Sequence, residues 1–284
     1  MTEKKSILKC PVCDLPLFKE AKIYRCENKH TYDIAKQGFV NLLLANQKAS
    51  KEPGDSKEMM QARTEFLAKG YYSKLTDAIN EYVIEKLDNN AEHYKILDAG
   101  CGEGYYLNRL HDRLKEIGIS EQVSCYGFDI SKEGVKHAAS SNKSITWAVG
   151  STFHMPILSD STHCLLQIFA PACEAEFQRV LKEDSILIAV IPGKDHLYGL
   201  KEQLYDEPYY NDEEVVEYSS LKIIEQFRIK YDIHLNNEKD IQNLLKMTPY
   251  YWKTNKDRIE EINKVTALDT CVDFIIVVYK KPSK

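Results

Sequence analysis

The segment Ile96–Gly104, with the sequence ILDAGCGEG, decides the fold of this 284-residue chain. An apolar run enters a glycine-rich turn, and a helical pattern with Leu107, Leu110 and Leu114 on one face follows. Glycines let a backbone approach a ligand closely, and the N-terminus of a helix offers free amide donors. The segment therefore predicts a strand, a ligand-binding turn and a helix, which together open an α/β domain.

The spacing of the glycines indicates which ligand the turn binds. The pattern is G-x-G-x-G, and Tyr105 occupies the position at which a dinucleotide-binding G-x-G-x-x-G motif has its third glycine. The next predicted strand ends at Asp129, about twenty-five residues beyond the glycines, where an acidic side chain can accept hydrogen bonds from ribose hydroxyls. These observations disfavour a nicotinamide dinucleotide and favour a different nucleoside ligand.

From His93 onward, short apolar runs alternate with helical patterns. The runs are YKILDAG, VSCYGFDI, ITWAV, HCLLQIFA and SILIAVI. Such alternation predicts βαβ units and a largely parallel sheet. Near the C-terminus, LKIIEQFRIKYDIHL and CVDFIIVVYKK predict two long strands, separated by a polar helical stretch, that add an antiparallel pair to the sheet.

Four potential metal ligands lie close together near the N-terminus. Cys10-Pro-Val-Cys13 is followed by Cys26 and His30, in the form C-x2-C-x12-C-x3-H. Zinc takes four tetrahedral sulfur and nitrogen ligands, and a C-x2-C turn points two thiolates at one ion. Because protein side chains fill all four positions, the spacing predicts a structural Zn²⁺ site rather than a catalytic one.

The composition is that of an ordinary globular protein, but its charge is unevenly distributed. The net charge is −5, yet residues 1–75 contain 14 Lys and Arg against 9 Asp and Glu, whereas the remainder contains 24 against 34. We therefore expect any polyanion to meet the N-terminal quarter. No run approaches the roughly 18 apolar residues of a spanning helix. The first residues also lack a signal-peptide pattern, so we expect a cytoplasmic protein without membrane contact.

A loop and two helices are predicted between the cysteine-rich segment and the glycine-rich turn. The Pro53-Gly54 pair marks the loop. Asp55 and Glu58 form a capping-box pattern that begins the first helix, and Gly70 ends it. The second helix is predicted from about residue 73 to residue 87.

The glycine loop and the downstream acid together resemble the class I S-adenosylmethionine-dependent methyltransferases, with Asp98 as the acidic residue of their first motif. The resemblance implies a Rossmann-like α/β domain with a mostly parallel, seven-stranded sheet. It also implies that the loop holds the methionine moiety of the donor and that Asp129 holds the ribose. The segment Gly150–Thr152 would lie near the adenine. The glycines concerned are Gly100, Gly102 and Gly104.

Segments along nearly the whole chain resemble the bacterial 23S rRNA guanine-N1 methyltransferase family. They are the zinc pattern, PGDSKEMMQAR (53–63), LDAGCGEGYY (97–106), IFAPACEAEF (168–177), PGKDHL (192–197) and MTPYYW (247–252). Their joint occurrence in this order is more specific than any single motif. Some members of that family confer macrolide resistance by methylating a hairpin loop that lines the peptide exit tunnel.

The family resemblance implies three parts: a zinc-ribbon-like RNA-recognition module at 1–45, a linker and helical pair at 46–90, and the methyltransferase domain at 91–284. The module would grip a 23S rRNA hairpin, and related enzymes suggest a homodimer. Carried over by position, the donor contacts are Tyr72, Glu103, Gly104, Asp129 and His196, and the zinc ligands are Cys10, Cys13, Cys26 and His30. From residue type alone, Tyr72 could instead anchor a helix, and His196 could be a surface or capping residue.

The same resemblance directs attention to residues near the methyl group. Guanine N1 carries a proton at neutral pH, so its methylation requires a proton acceptor. Glu174 and Glu176 are the nearest candidates by topology, although a solvated helix surface is the simpler interpretation. The target base must also leave its stack. The aromatic residues that could stack on it, or belong to the core, are Phe169, Tyr250, Tyr251 and Trp252.

The segment after the fourth strand departs from the motif of many amino-methylating enzymes. Those enzymes have Asn/Asp-Pro-Pro-aromatic there, whereas this chain has Phe169-Ala-Pro-Ala172. It therefore lacks the side-chain carbonyl that binds an exocyclic amine, which favours attack by a ring nitrogen.

Two other functions remain open from the sequence. A small-molecule methyltransferase could use the zinc module as a lid or dimer element, but the basic bias of residues 1–75 disfavours it. A non-catalytic RNA-binding assembly factor could retain a donor-binding fold, but the complete glycine loop with Asp129 disfavours that function.

Overall fold

A computed structural model describes residues 6–47, 54–87 and 93–283 of the chain. Pro53 of the predicted loop and the predicted domain boundary at residues 90–91 lie outside the described residues. Within these ranges, every helix is too short or too polar to span a lipid bilayer.

The strands and helices follow one another in the order that the sequence predicts for an α/β chain with a cysteine-rich start. The strands are β1 (Phe18–Glu20), β2 (Ile23–Arg25), β3 (Thr31–Asp33), β4 (Phe39–Asn41), β5 (Tyr94–Ala99), β6 (Val123–Asp129), β7 (Thr146–Val149), β8 (Thr162–Ile168), β9 (Leu181–Pro192), β10 (Lys222–Leu235) and β11 (Leu268–Lys280). The helices are α1 (Lys57–Ala68), α2 (Ser73–Glu85), α3 (Tyr105–Glu116), α4 (Lys132–Ser141), α5 (Glu174–Val180), α6 (Tyr198–Leu204), α7 (Glu238–Lys246), α8 (Tyr250–Lys253) and α9 (Lys256–Ile262).

The central sheet has the order β10-β11-β9-β8-β5-β6-β7-β4. Strands β4 to β9 of this sheet pair in parallel, and β11 pairs antiparallel with both β9 and β10. The predicted antiparallel pair at the C-terminus is therefore confirmed, with Leu235 opposite Leu268 and Ile223 opposite Tyr279. The carboxyl ends of β5, β6, β7 and β8 meet at one edge, which is where α/β proteins bind ligands.

The predicted count of seven strands is wrong, because the central sheet contains eight. The additional strand is β4, which pairs in parallel with β7 through Phe39 beside Trp147 and Asn41 beside Val149. Phe39 and Val40 are buried, so this short strand gains both ladder hydrogen bonds and apolar burial from joining the sheet edge. The N-terminal cysteine-rich segment thus shares a sheet with the rest of the chain.

Both faces of the sheet are covered. Helices α2, α3, α4 and α7 pack on one face, through residues such as Leu75, Leu107 and Leu244. On the other face, α5 and the N-terminal segment pack together against Leu97 and Phe128. Residues 150–161 connect β7 to β8 without a helix, and the N-terminal segment covers the sheet there.

Local capping differs in one detail from the prediction. Ser56, rather than Asp55, caps α1, and its hydroxyl accepts a hydrogen bond from the Met59 amide at 3.2 Å. The carboxylate of Asp55 is instead paired with Arg63, at 2.6 Å. Gly70 has φ of +81° just beyond the helix, as a C-terminal glycine stop requires.

Candidate active site and zinc centre

The glycine loop between β5 and α3 is shaped by left-handed backbone. Gly100, Gly102 and Gly104 have φ of +84°, +54° and +83°. The amides of Gly100 and Cys101 donate to the carbonyl of Phe128, at 2.9 and 3.0 Å, which fastens the loop to β6. A Cβ at Gly104 would lie 2.7 Å from the Trp147 ring, so only glycine fits.

Asp129 ties the end of β6 to this loop. Its Oδ2 accepts a hydrogen bond from the Gly102 amide at 2.9 Å, and its Oδ1 accepts one from the Ser131 amide at 2.7 Å. Each carboxylate oxygen has a second lone pair that can accept from another donor. The side chain is therefore held at the carboxyl edge of the sheet, with acceptor capacity left for two hydroxyls.

Three carboxyl groups surround the loop: those of Asp98 and Glu103 are buried, and that of Asp129 is partly buried. Burial raises the pKa of Asp98 to about 8, assisted by the charges of Asp129 and Glu103. Burial also raises the pKa of Glu103 to about 7, although Arg63 opposes that shift. The Arg63 guanidinium extends from α1 to the cluster, with Nη1 3.9 Å from Glu103 Oε2, and its charge favours the ionised form of that carboxyl group.

Tyr72 and His196 are both buried and lie side by side, with 3.5 Å between the Tyr72 hydroxyl and His196 Nε2. The Asp273 amide donates to His196 Nδ1 at 3.2 Å, so the proton of the neutral ring lies on Nε2. Burial lowers the pKa of His196 to about 3. His196 is therefore a hydrogen-bond donor toward Tyr72 and not a base at neutral pH.

Phe169 and Ala170 join this pair to the glycine loop. Phe169 has φ of +54°, and its ring stacks near His196 with centroids 6.4 Å apart. A Cβ at Gly100 would lie 2.5 Å from Ala170 Cβ, so the two loops touch. An aromatic residue in left-handed backbone is strained, and such strain is concentrated at functional sites.

The aromatic residues of α8 lie over α1. The Trp252 indole N–H contacts the Met59 sulfur at 3.2 Å, and the Trp252 side chain is 65% exposed. Tyr251 packs edge-on against Trp252. Tyr250 is more buried and contacts Asn211. Among the predicted stacking residues, Phe169 and Trp252 therefore expose most ring surface, whereas Tyr250 belongs mainly to the core.

S-adenosylmethionine fits the donor set of this edge. The loop offers a side-chain-free cradle, Asp129 retains acceptors for ribose hydroxyls, and Glu103 Oε2 is buried without a hydrogen-bond partner in the described part of the chain. When bound, this cofactor supplies an electrophilic methyl group on a sulfonium. The residues that would hold it are Asp98, Gly100, Gly102, Glu103, Gly104 and Asp129, with Tyr72 and His196 beside them.

The four predicted zinc ligands converge on one point. Their ligand atoms all lie within 4.8 Å of one another. The Cys10 and Cys26 sulfurs are each 3.5 Å from His30 Nδ1, and the Cys13 and Cys26 sulfurs are 3.7 Å apart. Tetrahedral Zn–S bonds of about 2.3 Å and Zn–N bonds of about 2.05 Å imply edges of about 3.8 Å between sulfurs and about 3.5 Å between sulfur and nitrogen. The cluster therefore fits Zn²⁺.

Two tight turns prepare these ligands. Asp14 and Lys29 have φ of +59° and +63°, and their amides donate to the carbonyls of Cys10 and Cys26 at 2.9 Å each. Burial acts to raise the pKa of the Cys10 thiol, but hydrogen bonds from Tyr32 and the backbone hold it at about 6. A thiolate is the form that binds zinc.

Comparison with known proteins agrees with both centres. Residues 8–51 match the family model described as "RlmA, N-terminal", a zinc ribbon, and residues 90–264 match the model "Methyltransferase domain". A Bacillus subtilis (strain 168) protein named "Putative 23S rRNA (guanine-N(1)-)-methyltransferase YxjB" is 33% identical over 97% of this chain and 98% of its own length. The chain belongs to the 23S rRNA (guanine-N1)-methyltransferase family.

Two further relatives of this family match a shorter stretch. A Streptomyces fradiae protein named "23S rRNA (guanine(748)-N(1))-methyltransferase" is 32% identical and covers 69% of this chain and 67% of its own length. A Micromonospora griseorubida protein with a similar name is 31% identical, over 69% of each chain.

In this member of the guanine-N1 methyltransferase family, the two predicted proton acceptors are engaged with neighbours. Glu174 accepts hydrogen bonds from Ser219 and Ser220, which lower its pKa. Burial acts to raise the pKa of Glu176, but its ion pair with Arg179 at 2.8 Å holds it below the usual range. A lowered pKa makes a carboxylate a weaker base, so these contacts disfavour Glu174 and Glu176 as proton acceptors. Their catalytic role stays a prediction.

Two residues that support the site were not identified as such from the sequence. Arg63 lies on an apolar helix stripe, where a charged residue is itself a signal of an inward partner. Asp273 interrupts the apolar run of β11, is fully buried, and binds both Arg228 and the Asp195 amide. The Asp273 carbonyl also accepts a hydrogen bond from the Gly193 amide, and the Asp273 amide donates to His196. Asp273 therefore fixes the loop that carries His196.

Replacing Gly104 with alanine is expected to weaken donor binding by about tenfold or more. The left-handed φ costs a residue with a Cβ about 1–2 kcal/mol, and the methyl group would meet both Trp147 and Ala138 below 3.0 Å. Isothermal titration calorimetry with S-adenosylhomocysteine checks this result. Gly118→Ala, at a glycine with similar φ but open space around it, is the matched control. Unchanged affinity in Gly104→Ala would show that the loop tolerates a side chain there.

Proposed function

We propose that this protein transfers the methyl group of S-adenosylmethionine to N1 of a guanine in a 23S rRNA hairpin loop. The observation that carries the proposal is the coexistence, in one chain of this family, of the zinc cluster and the Asp129-tethered glycine loop. A small-molecule substrate is not favoured, because the full-length relative also carries a name that specifies ribosomal RNA.

In the proposed reaction, a bound donor would supply an electrophilic methyl group with a neutral thioether as its leaving group, and guanine N1 would be the nucleophile. The N1 proton must be released to a base or to water. The chain contributes by position: the loop and Asp129 fix the nucleoside end, and Phe169 can stack on the extruded base. His196 is neutral and a donor, which suits it to orient Tyr72 rather than to remove the proton.

The zinc module, of whose predicted range 1–45 the structure describes residues 6–45, supports RNA recognition. It exposes Lys22, Lys29 and Lys36 on its surface. Its backbone pairs with the segment after β7, because the Lys9 amide donates to Pro156 and the Leu158 amide to Ile7, at 3.0 and 2.8 Å. That segment begins beside the predicted adenine wall, so RNA held by the module would lie next to the donor site.

Changing Lys22, Lys29 and Lys36 together to glutamine is expected to weaken RNA hairpin binding about tenfold while leaving donor affinity unchanged. Each lost phosphate contact lowers the slope of log Kd against log salt by about 0.7–0.9, so the slope should fall by about 2. Filter binding across a salt series measures it. The control changes Lys143, Lys222 and Lys264, three exposed lysines outside the module. Equal losses in both triple variants would refute the module as the RNA surface.

The test of the proposed function is methyl transfer in vitro. Purified protein with labelled donor is expected to label unmethylated 23S rRNA and its excised hairpin, and zinc-depleted protein is expected to label neither. Label found in small metabolites but not in RNA would favour the small-molecule alternative. A substrate of this kind also implies a cytoplasmic enzyme, whereas a homodimer and macrolide resistance stay predictions from the family resemblance.

A further inference from the structure

Arg63 extends from α1 toward the glycine loop and the end of α7. Its Nη1 is 2.6 Å from Asp55 Oδ2 and 3.9 Å from Glu103 Oε2. Its Nη2 is 3.5 Å from the carbonyl of Met247. The guanidinium is thus anchored by Asp55 and by the Met247 carbonyl, and the Nη1 that pairs with Asp55 is also close to the Glu103 carboxylate.

Glu103 needs such a cation. Its side chain is 5% exposed, and its Oε2 has no hydrogen-bond partner within the described ranges. A buried carboxylate without a partner prefers the neutral form, and nearby like charges increase that preference. Asp129 and Asp55 supply such charges here. An opposite charge within 4–6 Å acts in the other direction, and Arg63 lies within that range.

The position of α1 keeps this geometry fixed. A Cβ at Gly134 would lie 2.1 Å from the Met60 methyl group, so the methionine fills the space between α4 and the loop. The Ser131 hydroxyl also donates to the Asp55 carbonyl at 3.2 Å. The backbone that carries Arg63 is therefore held next to the glycine loop.

We propose that Arg63 is a positioning residue of the donor site, which favours the ionised form of Glu103 beside the glycine loop so that its unpartnered oxygen can bind the cationic methionine end of the donor. This inference rests on the proposed function, because it takes S-adenosylmethionine as the ligand. Arg63 itself need not touch the donor. Its effect passes through the charge of Glu103.

The consequence is a shift in the pH dependence of donor binding. Ionised Glu103 binds, so affinity rises as pH increases through its pKa, which is about 7 with Arg63 present. Without Arg63 that pKa is expected to rise by about 1–1.5 units, which is the lower part of the effect of one opposite charge. The other titratable groups facing Glu103 are Asp55, Asp98, Cys101, Asp129, Tyr105 and Tyr106. The pKa of Asp98 is raised to about 8, so Asp98 also titrates in this range. The pH dependence of donor affinity that remains in Glu103→Gln therefore serves as the background.

The experiment measures S-adenosylmethionine affinity by calorimetry from pH 6 to pH 9, without RNA, for wild type, Arg63→Gln, Glu103→Gln and the double variant. Arg63→Gln is expected to bind about tenfold more weakly than wild type at pH 7, and this ratio is expected to approach one as the pH approaches 9; the α-amino group of the donor, with a pKa of about 7.7–8.0, titrates equally for every variant and cancels in the ratio. Glu103→Gln is expected to be weak across the range, and the double variant is expected to be no weaker than Glu103→Gln. Arg63→Lys keeps the charge and should retain the wild-type midpoint. Lys57→Gln removes an exposed cation from the same helix and should change nothing.

A loss of donor affinity in Arg63→Gln that is independent of pH would overturn the inference. So would a loss of donor affinity that adds fully to the loss in Glu103→Gln, because either result would leave Arg63 a merely structural role. Thermal unfolding of each ligand-free variant shows whether it folds. If Arg63→Gln does not fold, Arg63→Lys decides instead, because a midpoint of donor affinity against pH that differs from the wild-type midpoint would overturn the inference. Wild-type protein that binds neither S-adenosylmethionine nor S-adenosylhomocysteine would instead refute the proposed function.

Discussion

Asp129→Asn is expected to weaken S-adenosylmethionine binding by about 100-fold or more and to reduce methyl transfer accordingly. The asparagine has the same size, but its amide group would face one of the two backbone N–H donors that Asp129 accepts, from Gly102 or Ser131. It would also lose an acceptor for ribose. A hydrogen bond to a charged acceptor contributes about 1.5–3 kcal/mol, and each 1.4 kcal/mol is about tenfold in affinity.

Calorimetry with the donor and its thioether product measures this loss, and circular dichroism shows whether the fold persists. Asp232→Asn, at an exposed position of β10, removes the same charge far along the sheet and should bind the donor like wild type. Donor affinity of Asp129→Asn within about threefold of wild type would show that the ribose is held elsewhere, because no plausible pair of lost ionic hydrogen bonds is that weak.

Cys26→Ser is expected to abolish stoichiometric zinc binding and to lower the melting temperature of the whole protein by about 10 °C. The module is not a free appendage, since β4 is part of the central sheet and Ile7, Leu8, Leu17 and Leu42 are buried with the sheet residues. Structural zinc contributes directly to folding free energy. A loss of about 3–4 kcal/mol corresponds to a shift of that size for a domain of this length.

Metal content by mass spectrometry and differential scanning calorimetry test this prediction. Cys271→Ser, at a partly exposed cysteine of β11 that lies outside the cluster, is the matched control. Cys26→Ser should also bind the donor less tightly, because the zinc module pairs with the segment that follows β7. An unchanged melting temperature after zinc loss would mean that the module unfolds independently of the sheet.

The parts of the structure that the sequence predicts best are those whose chemistry is local. The two cysteines of the C-x2-C turn lie a few residues apart, and so do the residues of the glycine loop. Their spacing alone therefore determines which atoms come together. The same holds for Asp129, because the end of a strand after a glycine loop is set by chain order. Helix α1 was also predicted, although its cap is Ser56 and not Asp55.

The parts that could not be predicted depend on pairing between distant residues. β4 has three residues and no periodicity, and its partner β7 follows more than a hundred residues later, so no local pattern identifies the eighth strand. The hydrogen bond from Asp273 to His196 likewise joins the last strand to a loop 77 residues earlier. Such contacts are decided by the packed sheet and become visible only in three dimensions.

The most direct test of the account is to map the methyl group on the RNA. Unmethylated 23S rRNA treated with the protein and S-adenosylmethionine is expected to give 1-methylguanosine on nucleoside mass spectrometry. Primer extension should stop one nucleotide before a guanine in a hairpin loop, because N1 methylation blocks Watson–Crick pairing. A methyl group on an exocyclic amine, on a base other than guanine, or in no RNA at all would contradict the account.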